Sequence, residues 1–270
     1  MKNLYKLYYK DYFKNVDWSV LWAETKDKKN SNRNKLNQVN AEILNLQLIA
    51  PPPNLKNRAN CAIPVKIEYP GLITGIGINH EANIEGEYKL GIHLDYLTGM
   101  PVVYGSTIKG VLRSTFNDTD YILSIFKRMN LKDWTPIDVE VLRHAIFEGE
   151  ALKPGADPGK DESYEPLSIY KRDIFFDAVL IQADKKGRVI CQDFITPHYK
   201  NVLRDPIPIP FIKIAPGCIL ELRFCVKDTE LHNGLKFLKN EKITLFTHIL
   251  EDAGIGAKTH VGYGTLNEPE

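Results

Sequence analysis

The 270-residue chain has few of the features that mark membrane, secreted or metal-binding proteins. It contains no apolar run near the roughly 18 residues that a membrane-spanning helix needs. Its first residues interleave Lys with Tyr and Phe, and so lack the apolar centre of a signal peptide. The net charge of +1 does not by itself indicate nucleic-acid binding. We therefore expect a protein that stays in the cytoplasm and does not contact a membrane.

Cysteine is scarce as well, and none of the four cysteines belongs to a CxxC pair. Cys218 and Cys225 lie seven residues apart in a predicted strand, where successive side chains alternate between faces, so these two cannot share a metal ion. We expect free thiols, no metal site and no cofactor.

The apolar content of 43% is sufficient for a hydrophobic core. We divide the chain into an appendage at residues 1–55 and a single domain at residues 56–270. The appendage starts with an aromatic-rich stretch that needs a surface to pack on, and it ends in the Pro-rich breaker at 50–54. Within the domain, residues 153–166 combine Pro, Gly and charged side chains, which predicts a flexible surface insert.

Hydrophobic periodicity predicts the elements of the domain. The segment 205–217 has too many prolines for a central strand. The remaining elements resemble the β-α-β-β-α-β order, which predicts an α+β, ferredoxin-like and RRM-like fold with insertions. In chain order they are strands in 61–77 and 87–101, a helix with Ser106 as its N-cap, helices within 118–150, strands near 173–182, 187–195 and 218–226, a helix at 241–253 ended by Gly254, and a last strand at 263–266.

The stretch "EDAGIGAKTHVGYGTL", residues 251–266, resembles a phosphate-binding loop, but it matches neither the Walker A motif nor the dinucleotide-binding GxGxxG motif. Ala257 separates Gly256 from Lys258, and Glu251 stands where a Walker A motif starts with Gly. Thr259 replaces the third Gly of the dinucleotide pattern. Both motifs also precede a helix, whereas this loop follows one.

Two explanations of these glycines remain open. They end the helix and turn the chain tightly, which Gly does cheaply because it accepts positive φ. Alternatively, the backbone of an RNA or of a partner chain passes so close that only Gly leaves room, and Lys258, Thr259 and His260 donate to phosphates.

A second Gly-containing element, "GMPVVYGSTIKGVLRSTF", covers residues 99–116. Its helix is apolar along Ile108, Leu112 and Phe116, while Lys109 and Arg113 lie together on the opposite face. Gly110 sits between them, where it costs roughly 1 kcal/mol against Ala. This face is either an ordinary solvated surface or a contact for a phosphate backbone.

The two elements together resemble the RAMP superfamily of CRISPR-associated proteins, which combines a P-x-x-x-G-S-x-I-K-G-x-L-R motif with a C-terminal Gly-rich loop. The stretches "YYKDYF", "DFITPHY" (193–199) and "PIPIPFIKIAPG" are similar to the sixth-subunit branch of the type III-B (Cmr) complexes. Residue by residue, the motifs match Gly105, Ser106, Lys109, Gly110 and Arg113 in the helix, and Gly254, Gly256, Lys258, Thr259, Gly262, Tyr263 and Gly264 in the loop.

The resemblance implies a crRNA-binding and assembly subunit of a guided antiviral effector directed at foreign RNA. Its implied partners are the crRNA, the target RNA, the backbone RAMP subunit and a neighbouring cap subunit, with a position toward the 3′ end of the guide.

RAMP relatives also include ribonucleases, and this leaves an alternative. A metal-independent endoribonuclease that processes crRNA would use His80 or His198 as a general acid or base, although each also fits an ordinary loop histidine. The backbone subunit cuts target RNA with an Asp before the helix motif. The matching stretch, 84–94, has Glu85 and Glu87 but no Asp, and Asp95 comes later, so we expect no target cleavage and no catalytic residue.

Overall fold

The computed structural model describes residues 3–20, 26–48, 58–75, 84, 86–158, 160–196 and 208–269, with the backbone alone at 20, 26–29 and 161. Within these ranges the α-helices are α1 Leu4–Lys6, α2 Lys26–Leu44, α3 Gly105–Thr115, α4 Thr119–Arg128, α5 Pro136–Arg143 and α6 Lys239–Ala253. Two π-helical segments, Leu7–Asp11 and His144–Glu148, continue α1 and α5. No helix in the described ranges is both long enough and apolar enough to span a bilayer.

Of the strands in the described ranges, five have six to nine residues and the others have two or three. In chain order the strands are β1 Cys61–Ile67, β2 Lys89–Leu90, β3 His93–Leu94, β4 Pro101–Val103, β5 Glu150–Leu152, β6 Tyr164–Pro166, β7 Ile174–Gln182, β8 Ile190–Ile195, β9 Ile209–Ile214, β10 Ile219–Cys225, β11 Thr229–Glu230, β12 Lys236–Phe237 and β13 Leu266–Asn267.

The central sheet has six strands in the order β13-β1-β10-β7-β4-β3, and each neighbouring pair is antiparallel. Helices α3 and α6 pack against it. Phe224 of β10 contacts Phe246 of α6, with ring centroids 5.7 Å apart. The predicted α+β class is confirmed, as is the alternation of β10, because Leu220, Leu222 and Phe224 are all buried.

Helix α3 begins two residues earlier than the predicted N-cap implies, and Ser106 is not its N-cap. Tyr104 holds that position and makes no side-chain cap. Instead, the Gly105 N–H donates to Oδ1 of Asp177 on β7 at 2.7 Å. A carboxylate from the adjacent strand therefore satisfies the helix terminus, and the hydroxyl of Ser106 is not needed for it.

The structure also corrects the prediction that the Pro-rich segment 205–217 contains no central strand. Ile209–Ile214 is the middle strand of a second sheet, in which it pairs antiparallel with β8 and parallel with β2. The prolines do not break it because Pro206 and Pro208 precede the strand and Pro210 lies beside β8 alone, before the pairing with β2 begins at Phe211.

Three boundaries differ from the predictions. Strand β1 stops at Ile67, because the chain turns at residues 69–70 and leaves the sheet. The last strand is Leu266–Asn267, because Tyr263 and Gly264 belong to the preceding loop. The predicted insert at 153–166 ends in β6, which pairs with β5.

The N-terminal segment packs on the rest of the molecule. Leu4, Leu7, Tyr8 and Tyr12 join the same buried cluster as the sheet residues. The hydroxyl of Tyr8 donates to the carbonyl of Tyr88 at 2.8 Å.

Candidate nucleic-acid interface

The polar face of α3 turns toward solvent, as the sequence predicts. Ser106, Gly110 and Arg113 are exposed, and Lys109 is half-buried. Lys109 makes no hydrogen bond or ion pair with any described residue. Arg113 does have a partner, because its guanidinium lies 2.7 Å from the Glu148 carboxylate.

The two glycines of this helix serve different purposes. A Cβ at Gly105 would overlap with the backbone carbonyl of Phe175, so Gly105 allows α3 to pack closely on β7. A Cβ at Gly110 would have nothing within 4 Å. Within the described part of the chain, Gly110 therefore has no packing reason to lack a side chain.

The glycines of the C-terminal loop are explained mainly by the chain's own packing. A Cβ at Gly256 would overlap with the carbonyl of Ile73, and one at Gly264 would overlap with the carbonyl of Ile255. At Gly254 it would lie 2.9 Å from the Gly264 oxygen. The fourth, Gly262, has φ 93° and no close neighbour, so its backbone conformation accounts for it. The close approach expected from RNA or a partner is therefore supplied by this chain's own backbone.

Hydrogen bonds hold the loop in this packed position. The N–H of Ala257 donates to the Ile73 carbonyl at 2.7 Å, and that of Gly264 donates to the Gly71 carbonyl at 2.8 Å. The loop is thus seated on the segment that follows β1. No hydrogen bond or ion pair among the described residues joins it to α3.

Tyr263 is turned inward and connects the loop to the second sheet. Its hydroxyl donates to Oδ2 of Asp193 on β8 at 2.6 Å, and Lys213 forms an ion pair with the same carboxylate. The Lys213 ammonium also lies 5.0 Å from the centre of the Tyr263 ring. Burial alone would raise the pKa of Asp193, but the hydrogen bonds from Lys213 and Tyr263 outweigh it and hold that pKa below its usual range.

Lys258 is the loop residue with the most unusual backbone. It has φ 61°, a left-handed conformation that costs a non-Gly residue roughly 1–3 kcal/mol. Its side chain is exposed and, with Lys89, borders a mainly apolar cavity of about 350 Å³. Thr259 is half-buried and His260 is exposed beside it. Val261 follows them and is 66% exposed, so residues 258–261 form an accessible part of the loop.

The model of the RAMP superfamily matches residues 65–267 of this chain. The chain belongs to the RAMP superfamily. The similarity predicted from the helix motif and the Gly-rich loop is therefore confirmed.

Among curated proteins, this RAMP chain is similar to the CRISPR system Cmr subunit Cmr6 of Pyrococcus furiosus. The two are 27% identical over 238 residues, which cover 73% of this chain and 65% of the relative. The match thus spans just under two thirds of the relative's length.

Two solved structures are similar to parts of the RAMP chain. The cryo-EM structure of the type III-B Cmr-beta bound to cognate target RNA has a TM-score of 0.47 at 18% identity, covering 77% of this chain and 58% of that one. The crystal structure of Cmr6 from Pyrococcus furiosus has a TM-score of 0.37 at 21% identity, covering 77% and 97%.

The candidate catalytic histidines of this RAMP chain, His80 and His198, lie outside the described residues, as does Glu85. Asp95 is described, and its carboxylate accepts hydrogen bonds from the backbone and hydroxyl of Thr98, at 2.7 and 2.6 Å. Its carboxylate therefore orders the turn before β4. Glu87 is buried and lies 3.1 Å from the ammonium of Lys89.

Sequence reasoning missed two acidic residues that organise the candidate site of the RAMP chain. The Asp177 carboxylate accepts a hydrogen bond from the first N–H of α3, and the Asp193 carboxylate accepts one from the Tyr263 hydroxyl. Each lies about 70 residues from its partner, so no local pattern points to either contact. The one sequence signal was that Asp193 opens the "DFITPHY" stretch.

Proposed function

We propose that this RAMP protein is a non-catalytic crRNA-binding and assembly subunit of a type III-B CRISPR effector complex. The similarity to Cmr6 supports the type of complex. The observation that carries the RNA-binding part is the exposed face of α3, where Lys109 has no described partner and Gly110 has open space around it. A position near the 3′ end of the guide belongs to the same proposal.

Gly110 supports a close contact for a physical reason. Gly in an exposed helix interior is less favourable than Ala by roughly 1 kcal/mol. At Gly105, Gly256 and Gly264 the packing of the chain itself leaves no room for a side chain, but at Gly110 nothing in the described structure occupies that space. An RNA backbone lying across α3, with its phosphates beside Lys109, would explain the missing side chain.

The accessible part of the Gly-rich loop is the second proposed contact. Lys258 keeps a strained backbone that Gly would adopt without cost, which favours a role for its ammonium. We assign Lys258, Thr259 and His260 to phosphate contacts. The remaining loop residues, including Tyr263, hold these three in position and do not themselves contact the RNA.

We also infer that the core is ferredoxin-like. Taken along the chain, β1, α3, β7, β10, α6 and β13 follow β-α-β-β-α-β. Their four strands are neighbours in the order fourth, first, third, second. Strands β4 and β3 then extend the sheet beyond β7. The order supports the assignment, and it places α3 and α6 together against one face.

RNA affinity measured as a function of salt tests the proposal. Lys109→Ala with Arg113→Ala should weaken binding to crRNA and lower the slope of log K against log salt by about 0.7 for each phosphate that the protein no longer neutralises. Lys127→Ala, an exposed lysine on α4, is the matched control and should leave the slope unchanged. If the double substitution changes neither the RNA affinity nor the slope of log K against log salt, the α3 face does not bind RNA.

A second assay addresses catalysis and assembly. The purified protein is incubated with repeat RNA in the absence of metal ions, and the products are separated on a gel. Cleavage that disappears in His80→Ala or His198→Ala would replace the proposal with crRNA processing. Co-purification with a short RNA and further RAMP subunits is the expected result, and the absence of such subunits would contradict the assembly role.

A further inference from the structure

Five aromatic side chains from three separate segments form a surface cluster next to α3. We call Tyr5, Tyr9, His93, Tyr96 and Tyr104 the aromatic patch. The ring of Tyr5 lies 4.5 Å from that of Tyr9 and 5.1 Å from that of Tyr96, between centroids. His93 lies 4.4 Å from Tyr104 in the same measure. Tyr9, Tyr96 and Tyr104 are 37%, 64% and 39% exposed, so most of the patch is accessible.

The two ring groups belong to one surface. They are joined by the pairing of β3 with β4, since Tyr96 follows β3 by two residues and His93 on β3 lies opposite Val102 on β4, two residues before Tyr104. Tyr104 is also the N-cap residue of α3. The patch therefore ends where the proposed RNA-binding face begins.

Backbone contacts hold the segments of the patch in fixed positions. The side-chain amide of Asn3 donates to the carbonyls of Tyr96 and Leu97, at 3.2 and 3.1 Å, while its oxygen caps α1. Gly99 has φ 70°, and a Cβ there would lie 2.6 Å from the backbone nitrogen of Leu4. The turn before β4 and the N-terminal helix are thus closely fitted, and the patch is preformed.

The charges of the N-terminal segment, which carries Tyr5 and Tyr9, favour a polyanion. Lys6, Lys10 and Lys14 are exposed on the same short segment as Tyr5 and Tyr9. The described part of this segment has two acidic residues. Asp11 lies 3.9 Å from Lys6, a weak surface pair, and Asp17 accepts hydrogen bonds from Ser19. Lys10 has no partner among the described residues. Lysines interleaved with exposed rings are typical of surfaces that bind single-stranded nucleic acid, where bases stack and cations contact phosphates.

We propose that the aromatic patch is a stacking surface for unpaired bases of single-stranded RNA, with Tyr96 and Tyr104 as its principal contacts. Their rings combine high exposure with support from Tyr5 and His93, and stacking on such rings tolerates any base sequence. The surface is distinct from the α3 face and the Gly-rich loop. The choice of RNA as the ligand rests on the proposed function, whereas the geometry of the patch does not depend on it.

Binding of a fluorescent single-stranded RNA of about 12 nucleotides to the full chain, followed by anisotropy at several salt concentrations, tests this proposal. Tyr96→Ala with Tyr104→Ala should weaken binding about tenfold or more. The corresponding Phe variants should retain most of the affinity, because stacking needs the ring and not the hydroxyl. Tyr170→Ala, at an 85% exposed tyrosine that is not part of the patch, is the matched control. Thermal melting should confirm that each variant is folded, since the Tyr104 side chain does not cap α3.

Salt dependence separates this proposal from the one for α3. Removal of the rings should lower affinity without changing the salt slope, whereas removal of Lys109 and Arg113 should change the slope. Ultraviolet crosslinking to RNA containing 5-iodouridine should label Tyr96 or Tyr104. Unchanged affinity in the Ala variant, or a Phe variant as weak as the Ala variant, would overturn the stacking surface. So would intact RNA binding with loss of a co-purifying subunit, because the patch would then be a protein interface.

Discussion

The guanidinium of Arg113 lies 2.7 Å from the carboxylate of Glu148, at the end of the π-helical segment that follows α5. Glu148 is shared with Arg143, which lies 3.4 Å away. The Arg113 side chain is 53% exposed, so the pair adds little to stability. It has a larger consequence for binding, because a phosphate that approaches Arg113 must compete with a carboxylate already in place.

Removing that competitor should strengthen RNA binding. Glu148→Gln should raise affinity about two- to fivefold and steepen its salt dependence, because Arg113 then becomes available to phosphate. Glu140→Gln is the control, since Glu140 pairs with Arg143 and leaves the Arg113 contact intact. The gain should vanish in an Arg113→Ala background. A gain of the same size in that background would show that Arg113 takes no part in RNA binding.

The glycines should separate into two groups when each is replaced by Ala. Gly256→Ala and Gly264→Ala should lower the free energy of unfolding by more than about 1 kcal/mol, because positive φ and a backbone overlap act together. Gly110→Ala should instead raise it by roughly 1 kcal/mol, or about 2–4 °C in Tm. Thermal unfolding of the three variants measures both effects.

Gly110→Ala should also weaken RNA binding while it stabilises the protein, because an added methyl group enters the space proposed for the RNA backbone. Opposite signs in the two assays would be the signature of a glycine kept for a ligand. If RNA affinity is unchanged, Gly110 is a tolerated surface glycine and the α3 contact no longer has its main support.

The sequence predicted the parts of this molecule that depend on local pattern. The buried face of α3 followed from helical spacing, and that of β10 from alternation. The start of α3 did not, because its first N–H donates to the Asp177 carboxylate on β7. Strand β9 was missed because the effect of a proline depends on which neighbour lies beside it.

The loop glycines show that the sequence also fails to reveal contacts between distant segments at the candidate site. Their presence is visible in the sequence, but their meaning depends on what packs against them. For Gly256 it is the carbonyl of Ile73, in a segment about 180 residues earlier. The sequence therefore identified the RAMP superfamily correctly but could not separate the residues that build the loop from those that remain accessible.

The contact between Tyr263 and Asp193 should be a structural one. Tyr263→Phe removes a hydrogen bond to a charged group and should cost about 1.5–3 kcal/mol of stability, measured by urea unfolding. RNA binding should change little under conditions where the variant is folded, and the salt slope should not change. Lys258→Ala is the contrasting variant, which should lower RNA affinity without a decrease in stability. A Tyr263→Phe variant that is fully stable yet binds RNA poorly would show that Tyr263 touches the RNA directly.

His93 should make stability depend on pH near neutrality. Burial lowers the pKa of its imidazole, and its Nδ1 atom has no hydrogen-bond partner within the described structure. In the unfolded chain the group titrates near its ordinary pKa of about 6.5. Between the folded pKa and this value the unfolded state binds more protons, so stability is complete above about pH 6.5 and falls as the pH drops.

His93→Phe keeps a ring beside Tyr104 and removes the titration. Between about pH 7.5 and 5.5, the free energy of unfolding should fall less in this variant than in the wild type, as measured by urea unfolding at each pH. Equal slopes in the wild type and His93→Phe would mean that the His93 imidazole is hydrated and titrates normally, which would contradict the burial of its Nδ1 atom.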